Sequence, residues 1–248
     1  VNAVDAALLA VSRQEVSNMA VVRAMAEYTS WHVPMVFAAD RLGKAVAEQV
    51  TIVSQEFGGE PRTFYMFTDR DALSRAFQLP LGGFSGYCDG AAVFENVTAA
   101  EYDQIQVNAG SPQELTFFIG SESYGLLALL THVVRLERAL AAASPTAVPF
   151  AELRDHPGYM IAVRPPENQL ATTAVNGLDG ECAMVFTSPD RFELFSRKHT
   201  GLATVTLPGV SLFQQLQRFG VSGVVINPAS PAPAILPAFL FARVVAGA

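Results

Sequence analysis

Cysteine is scarce in this sequence: Cys88 and Cys182 are the only two among 248 residues. A disulfide framework needs more, so a reducing compartment is expected and the expected localisation is cytoplasmic. Histidine is scarce too. His32, His132, His156 and His199 keep no recognised metal-ligand spacing to one another, to cysteine or to carboxylates, so no metal and no other cofactor is expected. Basic residues are outnumbered, with 16 Lys and Arg against 23 Asp and Glu and a net charge of −7. Binding to a phosphate backbone needs clustered Lys and Arg, so nucleic acid is not an expected partner. A long apolar run is also missing. The most apolar stretch, Ala232 to Ala248, contains Pro233, Pro237 and Arg243. It is short for a membrane span and reads as a buried final element. No basic-then-apolar signal peptide opens the chain, although Val1 leaves a removed leader open.

What is present is a chain that folds. Half of the residues are hydrophobic and only 16% are charged, enough to bury a core. The strongest signal is an internal repeat. Sliding the sequence by 119 positions puts Phe67-Thr68 on Phe186-Thr187, Asp71 on Asp190, Gly82 on Gly201 and Gly90 on Gly209. It also puts Phe94 on Phe213, Asn108 on Asn227 and Ser111-Pro112 on Ser230-Pro231. These are nine identities in 46 ungapped positions, where composition alone gives about three.

Pattern assigns elements to the repeat. Thr63–Phe67 and Ala183–Phe186 read as buried strands, followed by helices over Asp69–Phe77 and Pro189–Arg197. Gly90 and Gly209 introduce second helices. Gly223-Val224-Val225-Ile226 is a clear strand, and its counterpart Gln104-Ile105-Gln106-Val107 alternates, which predicts a less buried face. Hairpin-like regions over Val33–Gln55 and Tyr159–Val175 precede the two cores. Val4–Glu27 reads as helical with a break near Ser17-Asn18. Tyr124–Ala142 carries an apolar stripe of Leu126, Leu127, Leu130, Val133, Val134 and Leu136. The expected class is α/β: two tandem similar small domains, each a mixed sheet with flanking helices. They are placed at 1–120 and 121–248, with the boundary between Ile119 and Pro149 and a linker near Ser144-Pro145.

Several of these residues carry a family likeness. A helix leads into Trp31-His32-Val33-Pro34, a strand ends in Val185-Phe186-Thr187-Ser188, and another ends in Val224-Val225-Ile226-Asn227-Pro228. This resembles the SseB N-terminal domain, a bacterial family named for enhanced serine sensitivity, in two copies. The first copy has Asn108-Ala109 where the family has Asn-Pro, and the second lacks a Val-Pro opening. The resemblance implies a bacterial source and brings no activity, cofactor or catalytic residue.

Chemistry is sparse. Cys88 follows the glycine-rich run Leu81-Gly82-Gly83-Phe84-Ser85-Gly86-Tyr87 and is a candidate reactive thiol if a positive group lowers its pKa. Position 207, its counterpart, is leucine. Gly120-Ser121-Glu122-Ser123-Tyr124-Gly125 approaches a nucleophile elbow but lacks the glycine two places before Ser123 and a strong preceding strand. The strongest candidate ligand site is the shared one: Thr68, Asp71 and Asn108, with Thr187, Asp190 and Asn227, at strand ends where α/β sheets bind ligands. A purely local reading competes with it, in which the threonines cap helices, the aspartates complement helix dipoles and the asparagines end strands in turns. No reactive residue type is shared by both copies. The expectation is therefore a non-enzymatic protein-interaction or regulatory module, with a protein partner or a homodimer. The alternatives are a binding or sensing protein for a small amino-acid-like metabolite, or an enzyme using Cys88 or the strand-end cluster.

Overall fold

A computed structural model describes residues 3–12, 18–39, 45–52, 54–55, 61–76, 83–112, 114–144, 147–230 and 233–247. Ser17, Val53, Phe77, Leu81, Gly82, Pro145 and Pro231, which figure in the sequence reading, lie outside them. The chain divides into two units, Val1–Thr131 and His132–Ala248.

Unit 1 begins with α1 (Ala3–Ser12) and α2 (Asn18–Glu27), then β1 (Trp31–Ala39), β2 (Ala45–Ile52) and β3 (Ser54–Gln55). Next come β4 (Thr63–Met66), α3 (Arg70–Ala76), β5 (Gly83–Cys88), α4 (Gly90–Ala99), β6 (Gln104–Val107) and β7 (Leu115–Phe118). The helix α5 (Ser121–Ala141) contains the division between units. Unit 2 continues with α6 (Phe150–Asp155), β8 (Tyr159–Arg164), β9 (Gln169–Leu170), β10 (Thr172–Ala174) and β11 (Glu181–Phe186). It closes with α7 (Pro189–Ser196), β12 (Ala203–Leu207), α8 (Gly209–Phe219), β13 (Gly223–Ile226), β14 (Ala234–Pro237), a 3-10 turn at Ala238–Leu240, and α9 (Phe241–Ala246).

The α/β class is as expected. From β4 onward the elements of unit 1 have counterparts 119 positions later. The central parallel pairs share a register too, Met66 beside Val107 in β4–β6 and Val185 beside Ile226 in β11–β13. The sheets around those pairs differ. Unit 2 has one mixed seven-stranded sheet, ordered β12-β8-β11-β13-β14 with β9 on β8 and β10 on β11. Among the described residues unit 1 has two sheets rather than the one expected: β2-β1-β5 and β3-β4-β6-β7. They meet at an isolated bridge, where His32 and Phe67 exchange backbone hydrogen bonds of 2.9 Å each way. Unit 2 has a true strand pair at the corresponding place, Met160 opposite Phe186. β6 buries alternate residues while β13 is buried throughout, as the alternation of Gln104 and Gln106 predicts.

The helix that enters each unit is fixed by a matched pair of contacts, with the correspondence now offset by 128 positions. The Trp31 indole N–H donates to the Met25 carbonyl at 3.0 Å, and the Tyr159 hydroxyl to the Leu153 carbonyl at 3.1 Å. Both reach back from the first residue of a strand to a carbonyl near the end of the preceding helix, a group with no partner inside its own helix. The Gly90 N–H donates to the Tyr28 carbonyl at 2.8 Å, and the Gly209 N–H to the His156 carbonyl at 2.9 Å. A Cβ on Gly90 would stand 2.0 Å from the Met25 carbonyl oxygen, and on Gly209 2.3 Å from that of Leu153. The two backbones touch, which is why glycine stands there in both units.

Three expectations change. The C-terminal stretch is not one buried element: Phe241 and Val244 are buried, but Ile235 is 48% and Phe239 78% exposed. β14 is an edge strand, and successive side chains on a strand face opposite ways, so Leu236 goes in while Ile235 goes out. A strand, β7, does precede the Gly120–Gly125 segment, which becomes the start of α5. Finally, the threonines do not cap helices. The Asp69 carboxylate accepts the Ala72 N–H at the start of α3, and Ser188 holds the cap position of α7.

Candidate functional site

The threonines are instead bound across the sheet. Asn108 follows β6 and Asn227 follows β13, both in the left-handed region with φ of 51° and 54°. Asparagine tolerates that region better than most residues. Each accepts one long-range backbone bond through its side chain. Asn108 Oδ1 takes the Thr68 N–H at 2.9 Å, and Asn227 Oδ1 takes the Thr187 N–H at 3.0 Å. Asn108 Oδ1 also accepts from the Thr68 hydroxyl at 3.2 Å. The Asn227 backbone N–H donates to the Val185 carbonyl at 2.8 Å, and its carbonyl accepts the Ser230 N–H at 2.9 Å. The same two bonds occur at Asn108, with Met66 and Ser111. The Asn–Thr pair thus clips together the ends of two parallel strands, and all four residues are buried.

Asp71 and Asp190 lie in the first turns of α3 and α7, and Asp71 is exposed. Their position complements the helix dipole, as expected. Cys88 and Cys182 are both free. Cys88 is half-buried at the end of β5 opposite Trp31, and burial, with Asp89 beside it, pushes its thiol pKa up. That is the wrong direction for a nucleophile at neutral pH.

Unit 2 adds two residues to its clip that have no counterpart among the described residues of unit 1. Glu137, from α5, and Arg191, from α7, form an ion pair with Nη2 to Oε2 at 2.5 Å and Nε to Oε1 at 3.1 Å. Glu137 Oε1 also accepts the Thr187 hydroxyl at 2.7 Å and Asn227 Nδ2 at 3.0 Å. The Thr187 hydroxyl has a single proton, and the shorter contact directs it to Glu137. Its oxygen then accepts from Asn227 Nδ2 at 2.9 Å. Position 72, the counterpart of Arg191, is alanine. The repeat therefore pointed to the shared clip and away from this pair. A different signal marks Glu137: it continues the i, i+3, i+4 spacing of Leu130, Val133 and Val134, a carboxylate on an apolar stripe.

His156 lies beside the same network. It occupies the place that Tyr28 holds in unit 1, stacked on Tyr159 at 4.2 Å where Tyr28 packs edge-on against Trp31 at 5.0 Å. The Tyr28 hydroxyl donates to the Thr68 carbonyl at 3.1 Å. The Thr187 backbone lies by the His156 ring and favours its proton, although Nε2 makes no hydrogen bond of good geometry. His156 Nδ1 accepts the Gly158 N–H at 3.2 Å, so the neutral ring carries its hydrogen on Nε2. Burial, and His132 nearby, lower its pKa to about 4 against the pull of Thr187 and Glu137.

No protein-family model matches the chain, and no curated protein matches it. Among solved structures, Anabaena Tic22, described as protein transport, shares 9% identity over 87% of this chain and 94% of that one, with a TM-score of 0.24. A likeness at that level bears on neither fold nor function.

Two hollows open beside the unit 2 clip. One, of about 200 Å³, is lined by Glu137, Arg191, Asn227 and Ser230 over Leu140 and Ile226. The other, of about 400 Å³, is apolar and runs along β14 between Leu140, Val148, Ile235, Leu236, Phe239 and Leu240. Leu140, Ile226 and Ala234 line both. Among the described residues no group of His, Cys, Asp and Glu could hold a metal ion, and no helix is long and apolar enough to cross a membrane.

Proposed function

We propose that the protein is a non-enzymatic, cytoplasmic, SseB-like interaction module built from two diverged copies of one fold, with its docking face on unit 2 along β14. The observation that carries this reading is the apolar groove flanked by Ile235 and Phe239, which are 48% and 78% exposed. Single exposed apolar residues are ordinary, but large ones gathered on a groove mark an interaction surface. The edge itself is blunted by Pro233 and Pro237, so recognition runs through side chains rather than by addition of a strand. The matched Asn–Thr clips, helix contacts and parallel registers support common descent of the two units. In both units the shared clip works as architecture. Function belongs where the units differ, at Glu137, Arg191 and the groove.

A peptide array read with the purified protein tests the docking face. Extended apolar peptides should be retained over polar ones of equal length, and Phe239→Ser should cut that retention several-fold without lowering the melting temperature. Equal retention of apolar and polar peptides, or no effect of Phe239→Ser, removes the assignment.

A further inference from the structure

We propose that the occupant of this groove is an apolar segment of a partner protein that ends in a free carboxylate, the carboxylate entering the polar hollow beside Arg191 and Ser230. The inference rests on the interaction-module reading and names the chemistry of its partner. The two hollows adjoin, since Leu140, Ile226 and Ala234 form walls of both. A ligand lying along β14 therefore meets an apolar stretch and then a polar end.

The polar end asks for an acceptor. Arg191 has five N–H donors. It commits one from Nε and one from Nη2 to Glu137, which leaves three with no partner among the described residues. Ser230 lines the same hollow, and its buried hydroxyl has no hydrogen-bond partner. Glu137 does not compete as the ligand's anchor, because four donor contacts already fall on its two oxygens. A carboxylate would take the open side of the guanidinium, and the Ser230 hydroxyl once that side chain rotates into the hollow, both charge-assisted bonds. The polar hollow, at about 200 Å³, is below the size of usual small-ligand pockets, roughly 300 Å³ and more. It suits one terminal group. A polypeptide segment is long enough to lie along the apolar hollow, over Phe239, and still end in the polar one.

The probes are two fluorescein-labelled peptides of sequence Gly-Leu-Val-Leu-Phe, one with a free C-terminal carboxylate and one with a carboxamide, titrated with the full chain and followed by anisotropy. The acid should bind at least about tenfold tighter, the size of one charge-assisted hydrogen bond. Arg191→Lys keeps a cation for Glu137 but lacks the open fork, and should shrink that ratio to near unity. Ser230→Ala should shrink it in part. Equal binding of acid and amide overturns the carboxylate assignment and leaves the apolar groove standing. Failure of both peptides to bind overturns the groove reading as well. Self-association of the wild type that Phe239→Ser abolishes gives the groove to a second copy of this chain and overturns the proposal.

Discussion

Asn227 combines two demands that few residues meet together, a left-handed backbone and an acceptor aimed at the Thr187 N–H across the sheet. Asn227→Ala should cost about 3 kcal/mol, from an orphaned buried donor and the left-handed penalty. Asn227→Gly should cost about 1 kcal/mol less, because it relieves only the backbone. Urea midpoints of the two variants check the order, and equal losses would show that the backbone contributes nothing. His156 makes stability depend on pH. The unfolded chain takes up its proton near 6.5, the folded chain only near 4. Between those values the unfolded state binds more protons, so stability is full above pH 6.5 and falls as pH drops toward 4. The loss approaches about 3 kcal/mol. His156→Asn keeps an acceptor at the Nδ1 position for the Gly158 N–H and removes the titration, so its stability should vary less across that window. An unchanged slope would show that the His156 ring does not carry the effect.

Helix placement is decided where backbones meet. At Gly209 a Cβ would lie 2.3 and 2.4 Å from two carbonyl oxygens of α6, and neither can withdraw without unwinding the helix end. Gly209→Ala should therefore cost about 3 kcal/mol. Gly125, inside α5, has nothing within 4 Å of the place a methyl group would take, so Gly125→Ala should add about 0.5–1 kcal/mol. Thermal melts of the two variants should move in opposite directions. The sequence showed Gly209 through the repeat, and it showed the strands and helices from β4 onward for the same reason. It did not show that Trp31 and Tyr159 do one job, because the residue types differ and the spacing changes from 119 to 128 between helix entry and core. Nor could it place Thr68 and Thr187. Capping is a local bond that a short motif predicts, while the bond actually made runs 40 positions along the chain to an asparagine.

Across the whole molecule, each unit carries one free cysteine, Cys88 in the first and Cys182 in the second. Both thiols have raised pKa values, with burial the leading cause. Neither should react quickly with a thiol reagent at pH 7, and Cys182, fully buried, should react only when unit 2 opens. This makes the pair a built-in readout of how the units unfold. In moderate urea, Asn227→Ala should speed labelling of Cys182 by about tenfold for each 1.4 kcal/mol of lost stability, when opening is rapid compared with labelling. Labelling of Cys88 should stay at the wild-type rate. Peptide mapping by mass spectrometry separates the two sites. Acceleration of both thiols together would mean that the chain opens as one cooperative body. The clip at Asn227 would then stabilise the whole fold rather than the unit that contains it.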